Sequence, residues 1–515
     1  MPTFSICGQS NYINNPELGC HKEVVIIITM KKILLFLLSF QCLCCFAQEY
    51  LTVYHGDSVV MAYKFAVNDS MKFENYEDFK LKSDFISFQE GVEIMLPKEF
   101  CIPAGENFQL FYRGAVKCFN PYVFQLHSIC SEGKAFPRYY QLTTDESMTG
   151  KTYSLKVNAY DNKNDIVCTK STSLRVVSPL TSPSTPKNIL CIGASATANG
   201  YWPYELNRRL TEKTSDSIAS PSGLGLENIT FVGRKKGSTK KIPLEATGGW
   251  RWTDYSGKGR AAYRFYVTGV NSLHLGDTYD INGTVVTITE INVTEGIGNI
   301  RCTYSGSKAP DEKGTLKRKS GSGDKNVEYT SYESEKYNPF YNDDRLDFKN
   351  YADMYCDGHI DVLIAHCGMN DVFASANNAS TIEQHVKPFI RAFHQDFPDA
   401  YFVLSSIPLP DMRGGMGANY GANQSQYYMN ISYRLWDLAK RFEQLSLEDE
   451  FAPYVLFAPV VQQFDSEYSY PVKTQPVNNR DDETEEMGTN AVHPTAAGSY
   501  QVADAVFRSM HNIKW

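Results

Sequence analysis

The run Thr181-Ser182-Pro183-Ser184-Thr185-Pro186 holds two prolines and no apolar periodicity, and the hydrophobic pattern differs on its two sides. Proline fixes φ and offers no N–H, so the run continues neither a strand nor a helix and reads as a linker over residues 179–187. Beyond it, from 188 to 515, unbroken apolar runs alternate with amphipathic stretches. Asn188-Ile189-Leu190-Cys191-Ile192 begins the series, continued at Ile229 to Val232, Val362 to Ala365, Tyr401 to Ser405 and Val455 to Phe457. Helical spacing lies between them, at Glu205 to Leu210, Ile382 to Phe397 and Gln426 to Leu445. Apolar runs without a polar face are strands buried on both sides, and their alternation with helices predicts an α/β domain with a parallel sheet. Ligands gather at the carboxyl ends of such strands.

Two regions break that rhythm. From 48 to 178 the chain runs in short β-type segments such as Thr152-Tyr153-Ser154-Leu155-Lys156-Val157, separated by Gly, Asn and Asp turns, which predicts a β-sandwich accessory domain. From about 257 to 341, inside the α/β region, short β runs return. Asn282-Gly283 between apolar alternations is a hairpin signal there, and the segment reads as a β-rich insertion, either overhanging the site or decorating the surface.

Residues 1–47 read as a leader. Met30-Lys31-Lys32, the apolar run Ile33 to Phe40 and the small-residue context at Ala47 form a signal peptide over about 30–47, too short to span a bilayer as an anchor. The expected destination is export: periplasm, cell surface or exterior, with no transmembrane span in the mature chain. Cys44 and Cys45 follow Gln41-Cys42-Leu43, a poor lipoprotein cleavage context. Of the cysteines after the leader, Cys101, Cys118, Cys130 and Cys168 fall in the first domain, where one or two disulfides are expected. Their spacing shows neither C-x-x-C nor a zinc pattern, so neither a metal nor another cofactor is implied. A formal charge of −8 without a basic cluster excludes a nucleic-acid partner.

Three motifs carry chemistry. Gly193-Ala194-Ser195 stands directly after the first strand, placing a hydroxyl at its carboxyl end before a helix. Alone, such a serine is most simply a helix cap. Gly368-Met369-Asn370-Asp371 follows another buried strand and brings a side-chain amide, a donor suited to a tetrahedral oxyanion, to the same edge. Asn490-Ala491-Val492-His493-Pro494 precedes the last helix and supplies an imidazole that can take a hydroxyl proton near neutral pH.

With Gly248-Gly249-Trp250, these segments in this order resemble the SGNH (GDSL-like) hydrolase superfamily over roughly Lys187 to Trp515, without the insertion. The resemblance implies a three-layer flavodoxin-like fold and a serine esterase. It assigns Ser195 as nucleophile and His493 as base. The oxyanion hole it implies comprises the N–H groups of Ser195 and Gly249 and the Asn370 side chain. Two positions depart from the family pattern: Ala194 and Asn490 stand where Asp is usual. Asn490 occupies the place of the residue that orients the histidine; an Asn there can accept the Nδ1 proton but brings no negative charge, and in serine proteases the Asp to Asn change costs about 10⁴-fold. Asp481, Asp482, Glu483, Glu485 and Glu486 are alternative partners, or only a solvated turn.

Tyr201, Trp202, Trp250 and Trp252 lie within a few residues of the first two motifs, where they either stack on sugar rings or close the core. The expected function is release of small acyl groups, acetyl foremost, from an acylated carbohydrate or other small ester. The competing reading is a catalytically weak or inactive glycan-binding or surface protein on the same scaffold.

Overall fold

The computed structural model describes residues 50–55, 58–64, 92–213, 221–306, 308–421 and 424–515. The leader at 1–47 lies outside them. Chain contacts divide the molecule at Gly91/Val92 into two compact units. In the first, Tyr50–His55 and Ser58–Lys64 form an antiparallel hairpin. The accessory domain read from the sequence as 48–178 is thereby divided, since residues 92–177 belong to the second unit.

At the centre of the second unit, Lys187–Gly193 pairs in parallel with Ile229–Val232 and Pro243–Ala246 along one edge and with Val362–His366 along the other. Tyr401–Ser405 and Val455–Ala458 extend the sheet, again in parallel, and the short strand Lys235–Lys236 closes the far edge antiparallel. In chain order this is the doubly wound sequence 2-1-3-4-5, whose switch point lies between the first strand and Val362–His366.

Successive residues of each central strand face opposite ways, which explains the unbroken apolar runs. Ile189, Cys191 and Ile364 pack with Leu206 and Leu210 of the helix Tyr201–Thr211 and Val502 and Val506 of the helix Ala496–Met510. Leu190, Ile192 and Leu363 face the other layer, with Phe348, Phe389, Phe393, Trp436 and Phe442 from helices Phe348–Tyr355, Lys387–Asp396 and Gln424–Ser446. Each such side chain, fully buried, contributes roughly 1.5–3 kcal/mol.

The insertion is a closed barrel of six strands between Arg260 and Tyr337. Asn282 and Gly283 have φ of 53° and 87°, the two left-handed residues of the tight turn joining Thr278–Ile281 to Thr284–Thr294. Closure pairs every strand edge and encloses Phe265, Tyr279, Ile288 and Ile300. Where the chain enters and leaves, a Cβ on Gly259 would lie 1.9 Å from the Tyr337 carbonyl oxygen. The Asn338 amide then donates to the carbonyls of Tyr255 and Gly257 at 2.6 and 2.8 Å, stitching the barrel's neck to the sheet domain.

Residues 92–177 form two main sheets around one core. Phe100, Ile102, Leu155, Val157 and Leu174 come from one, Phe108, Leu110, Tyr140 and Leu142 from the other. This module does not hang from the segment at 179–187; it is docked on the α/β domain. Trp436 Nε1 donates to the Gly114 carbonyl at 2.9 Å, Arg113 Nε to the Tyr428 hydroxyl at 2.8 Å, and Gln462 Nε2 to the Met95 carbonyl at 3.2 Å. Glu106 accepts from both Arg209 and Arg508, and Arg209 also pairs with Asp504, so a buried charge cluster crosses the interface. Such a cluster adds little net stability, because desolvation offsets its attraction. The expected disulfides do not form: Cys101, Cys118, Cys130 and Cys168 are free thiols, as are the other described cysteines.

Gly114 tests the docking. A Cβ there would lie 1.8 Å from the Val461 carbonyl oxygen. Gly114→Ala is expected to lower stability by about 1–3 kcal/mol in urea unfolding, the usual range for overpacking; an unchanged midpoint would contradict this interface.

Candidate active site

Ser195 is the first residue of the short helix Ser195–Ala198, two positions beyond the central strand. As the leading amides of a helix, those of Ser195 and Ala196 have no acceptor within it. Gly193 is forced by its surroundings, since a Cβ would lie 2.5 Å from the His366 carbonyl oxygen and 2.2 Å from Thr197 Oγ1. The Tyr255 hydroxyl donates to the Gly193 carbonyl at 2.7 Å and fixes the strand end from below.

His493 Nε2 lies 2.7 Å from Ser195 Oγ, although 298 residues separate them. The imidazole sits in the loop before the helix Ala496–Met510, where Thr495 caps the helix by accepting from Gly498 N at 3.1 Å. Burial holds the His493 pKa below its ordinary value, so the ring is neutral at pH 7 and can receive the serine proton.

Asn490 does not orient that ring. Its Oδ1 accepts from Val492 N at 3.1 Å and His493 N at 3.0 Å, an Asx turn that shapes the loop and leaves Nδ1 without it. The acidic run provides no substitute. Asp481–Gly488 is an exposed strand paired with Val472–Asn478; Glu486 pairs with Arg413 and Glu485 accepts from Gln475. A nearby carboxylate would raise the His493 pKa, whereas burial alone accounts for its shift.

The turn Thr247–Trp250 lies beside Ser195. Trp250 N donates to the Thr247 carbonyl at 3.1 Å, Thr247 N to the Gly193 carbonyl at 3.2 Å, and Gly249 has φ +74°, as the third residue of a type II turn requires. A Cβ on Gly248 would stand 3.9 Å from Ser195 Cβ. Asn370, at the start of the helix Met369–Ala374, donates one amide proton to the Trp250 carbonyl at 3.0 Å and keeps a second. Ser195 and Asn370 line one cavity at the sheet's carboxyl edge.

The aromatic candidates divide. Trp250 and Trp252 are in the core, packed on Tyr255, with Trp252 Nε1 donating to the Cys367 carbonyl at 3.1 Å; neither offers a face to a sugar. Trp202 is buried but lines the cavity, its Nε1 held by Thr197 Oγ1 at 3.1 Å. Tyr201 alone is partly exposed.

Two residues at the site were not singled out from the sequence. Arg260, on the barrel's first strand, donates to the Gly249 carbonyl and pairs with Asp254 at 3.1 Å, so the insertion braces the glycine turn. His366 ends an otherwise apolar strand, which is the signal that could have found it; Arg260 has no local signal at all. Among the described residues no three His, Cys, Asp or Glu side chains are grouped to hold a metal ion, and no helix is long and apolar enough to cross a membrane.

No family model and no curated protein matches the chain. Among solved structures, a peptidoglycan O-acetylesterase aligns at 14% identity over 64% of this chain and 91% of its own, with a TM-score of 0.22. A family two carbohydrate esterase from Clostridium thermocellum, an active-site mutant, aligns at 10% identity over 80% and 93%, TM-score 0.25. One from Cellvibrio japonicus aligns at 12% over 81% and 93%, TM-score 0.20. Similarity at these scores is too slight to bear on function.

Asp371, next to Asn370, is buried and its Oδ1 accepts from Trp252 N at 3.0 Å. Burial raises its pKa from the ordinary 3.8 to about 7. The folded chain therefore holds this proton more firmly than the unfolded one, and the stability involved is present in acid and lost as pH rises toward 7. Asp371→Asn keeps the acceptor and removes the titration. Relative to wild type it should gain roughly 2–4 kcal/mol between pH 4 and pH 8 in urea unfolding, at about 1.4 kcal/mol per pKa unit; a pH-independent difference would refute the assignment.

Proposed function

We propose that this chain is an exported serine esterase of the SGNH type that releases small acyl groups, acetyl foremost, from carbohydrate. The observation that supports it most is the 2.7 Å contact of His493 Nε2 with Ser195 Oγ at the switch point of a parallel sheet. The carbohydrate rests on the family resemblance and the leader.

Ser195 Oγ attacks the ester carbonyl carbon while His493 Nε2 takes the hydroxyl proton. The tetrahedral oxyanion receives hydrogen bonds from the N–H groups of Ser195 and Gly249 and the free Asn370 amide proton. Collapse expels the alcohol, protonated by His493. Water then adds to the acyl-serine with His493 again as base, releasing the carboxylic acid and restoring Ser195. Formation of the imidazolium is the weak step, because no carboxylate among the described residues faces it. That same feature supports a second reading, a glycan-binding protein with a decayed site.

Hydrolysis of 4-nitrophenyl acetate decides between them. Wild type is expected to turn over and Ser195→Ala to fall to background; equal inertness of both would favour the binding reading. Asn490→Asp should change kcat less than about tenfold, since its carboxylate would accept the same two backbone amides and not the imidazole. A gain of several hundredfold would show that residue 490 can reach Nδ1. Because burial lowers the His493 pKa, the acid limb of kcat/KM should have its inflection below pH 6.5; an inflection above 6.5 would contradict the neutral, uncompensated imidazole.

A further inference from the structure

His366 is 4% exposed and lines the cavity that Ser195 and Asn370 share. Its Nδ1 lies 2.9 Å from Ser405 Oγ, and the Ser405 hydroxyl donates to the Ser406 carbonyl at 3.1 Å. A hydroxyl has one proton. Both contacts are hydrogen bonds only when that proton goes to Ser406 and Ser405 accepts from His366; in that arrangement Nδ1 carries the imidazole hydrogen and Nε2 is a bare acceptor. Nε2 has no hydrogen-bond partner among the described residues and is not sealed from solvent, so it is the ring edge that meets the cavity. Burial depresses the pKa to about 3, which keeps the ring neutral.

The surrounding wall is largely apolar. Ile407 and Val502 contribute hydrocarbon, the Tyr470 hydroxyl is taken by the Leu409 carbonyl at 2.7 Å, and Trp202 Nε1 by Thr197. Ser499 adds a hydroxyl to the same wall. An unpaired acceptor in such a place discriminates for a donor, because an apolar occupant strips its water and returns nothing.

We propose that His366 Nε2 is a specificity determinant of this site, accepting a hydrogen bond from a hydroxyl carried by the ester substrate. The inference rests on Ser195 being the nucleophile. The hydroxyl comes either from the acyl group, as in a hydroxyacyl ester, or from the alcohol, as in a polyol or sugar.

Two isosteric pairs separate these sources: ethyl glycolate against ethyl propionate for the acyl side, and 2-hydroxyethyl acetate against propyl acetate for the alcohol side. Hydrolysis is followed by pH-stat, with each kcat/KM ratio divided by the ratio for hydroxide alone. Wild type is expected to favour the hydroxylated member of one pair by roughly 3- to 10-fold, the scale of one neutral hydrogen bond. In His366→Leu the corrected ratio should fall to about one whatever the absolute rates, and His366→Gln, which keeps an acceptor, should retain part of it. A corrected wild-type ratio near one in both pairs overturns the inference while leaving the esterase reading intact, and needs no variant to fold. A preference that survives in His366→Leu also overturns it. Failure of wild type to hydrolyse any of the four esters removes the esterase reading and this inference together.

Discussion

The central strand Lys187–Gly193 is hydrogen-bonded along both edges and ends in a residue that must be glycine. Everything at the site hangs from that end. Ser195 follows two residues later, Thr247 N anchors the glycine turn to the Gly193 carbonyl, and Tyr255 holds the same carbonyl from beneath. Val362–His366, its neighbour, delivers Asn370 to the same edge. The arrangement follows from parallel pairing: strands that run the same way end at the same side, and the reversal of strand order opens a crevice there.

That constraint also explains what the sequence disclosed. Strands buried on both faces are continuous apolar runs, so Ile189 to Ile192 and Val362 to Ala365 were legible, and residues directly after them were natural site candidates. Ser195 and Asn370 were found in this way and line one cavity, whereas His493 was read from a motif before the last helix and lies 2.7 Å from Ser195 Oγ. Whether Asn490 orients His493 was not legible, because position relative to His493 says nothing about which proton a side-chain oxygen will take. Two backbone amides two and three residues on are nearer in the chain than the imidazole edge, and Oδ1 went to them. Trp250 and Trp252 were ambiguous for a related reason, since proximity to a motif does not distinguish a cleft wall from the core beneath it.

Long-range closure was the least legible. Short β runs with Asn282-Gly283 announce hairpins but not a barrel, because closure depends on pairing between strands as distant as Arg260–Thr268 and Asn326–Tyr337. Nothing local marks Arg260 as the brace of Gly249. The docking of residues 92–177 was hidden too: a Pro-rich segment suggests separable modules, whereas Glu106, Arg209, Asp504 and Arg508 form one buried cluster across the junction. The accessory module is thus packed on the helices, and the insertion's first strand reaches the glycine turn beside Ser195.

The central claim is that the Ser195 hydroxyl is activated by a neutral His493 that no carboxylate among the described residues supports. Reaction with diethyl 4-nitrophenyl phosphate, followed by peptide mass mapping, addresses it directly, because the reagent phosphorylates an activated serine and expels a chromophore. The account predicts one stoichiometric adduct, on the peptide containing Ser195, formed more slowly as acid protonates His493 and absent from His493→Ala. Modification at another residue, or an equal rate of labelling without His493, would contradict it.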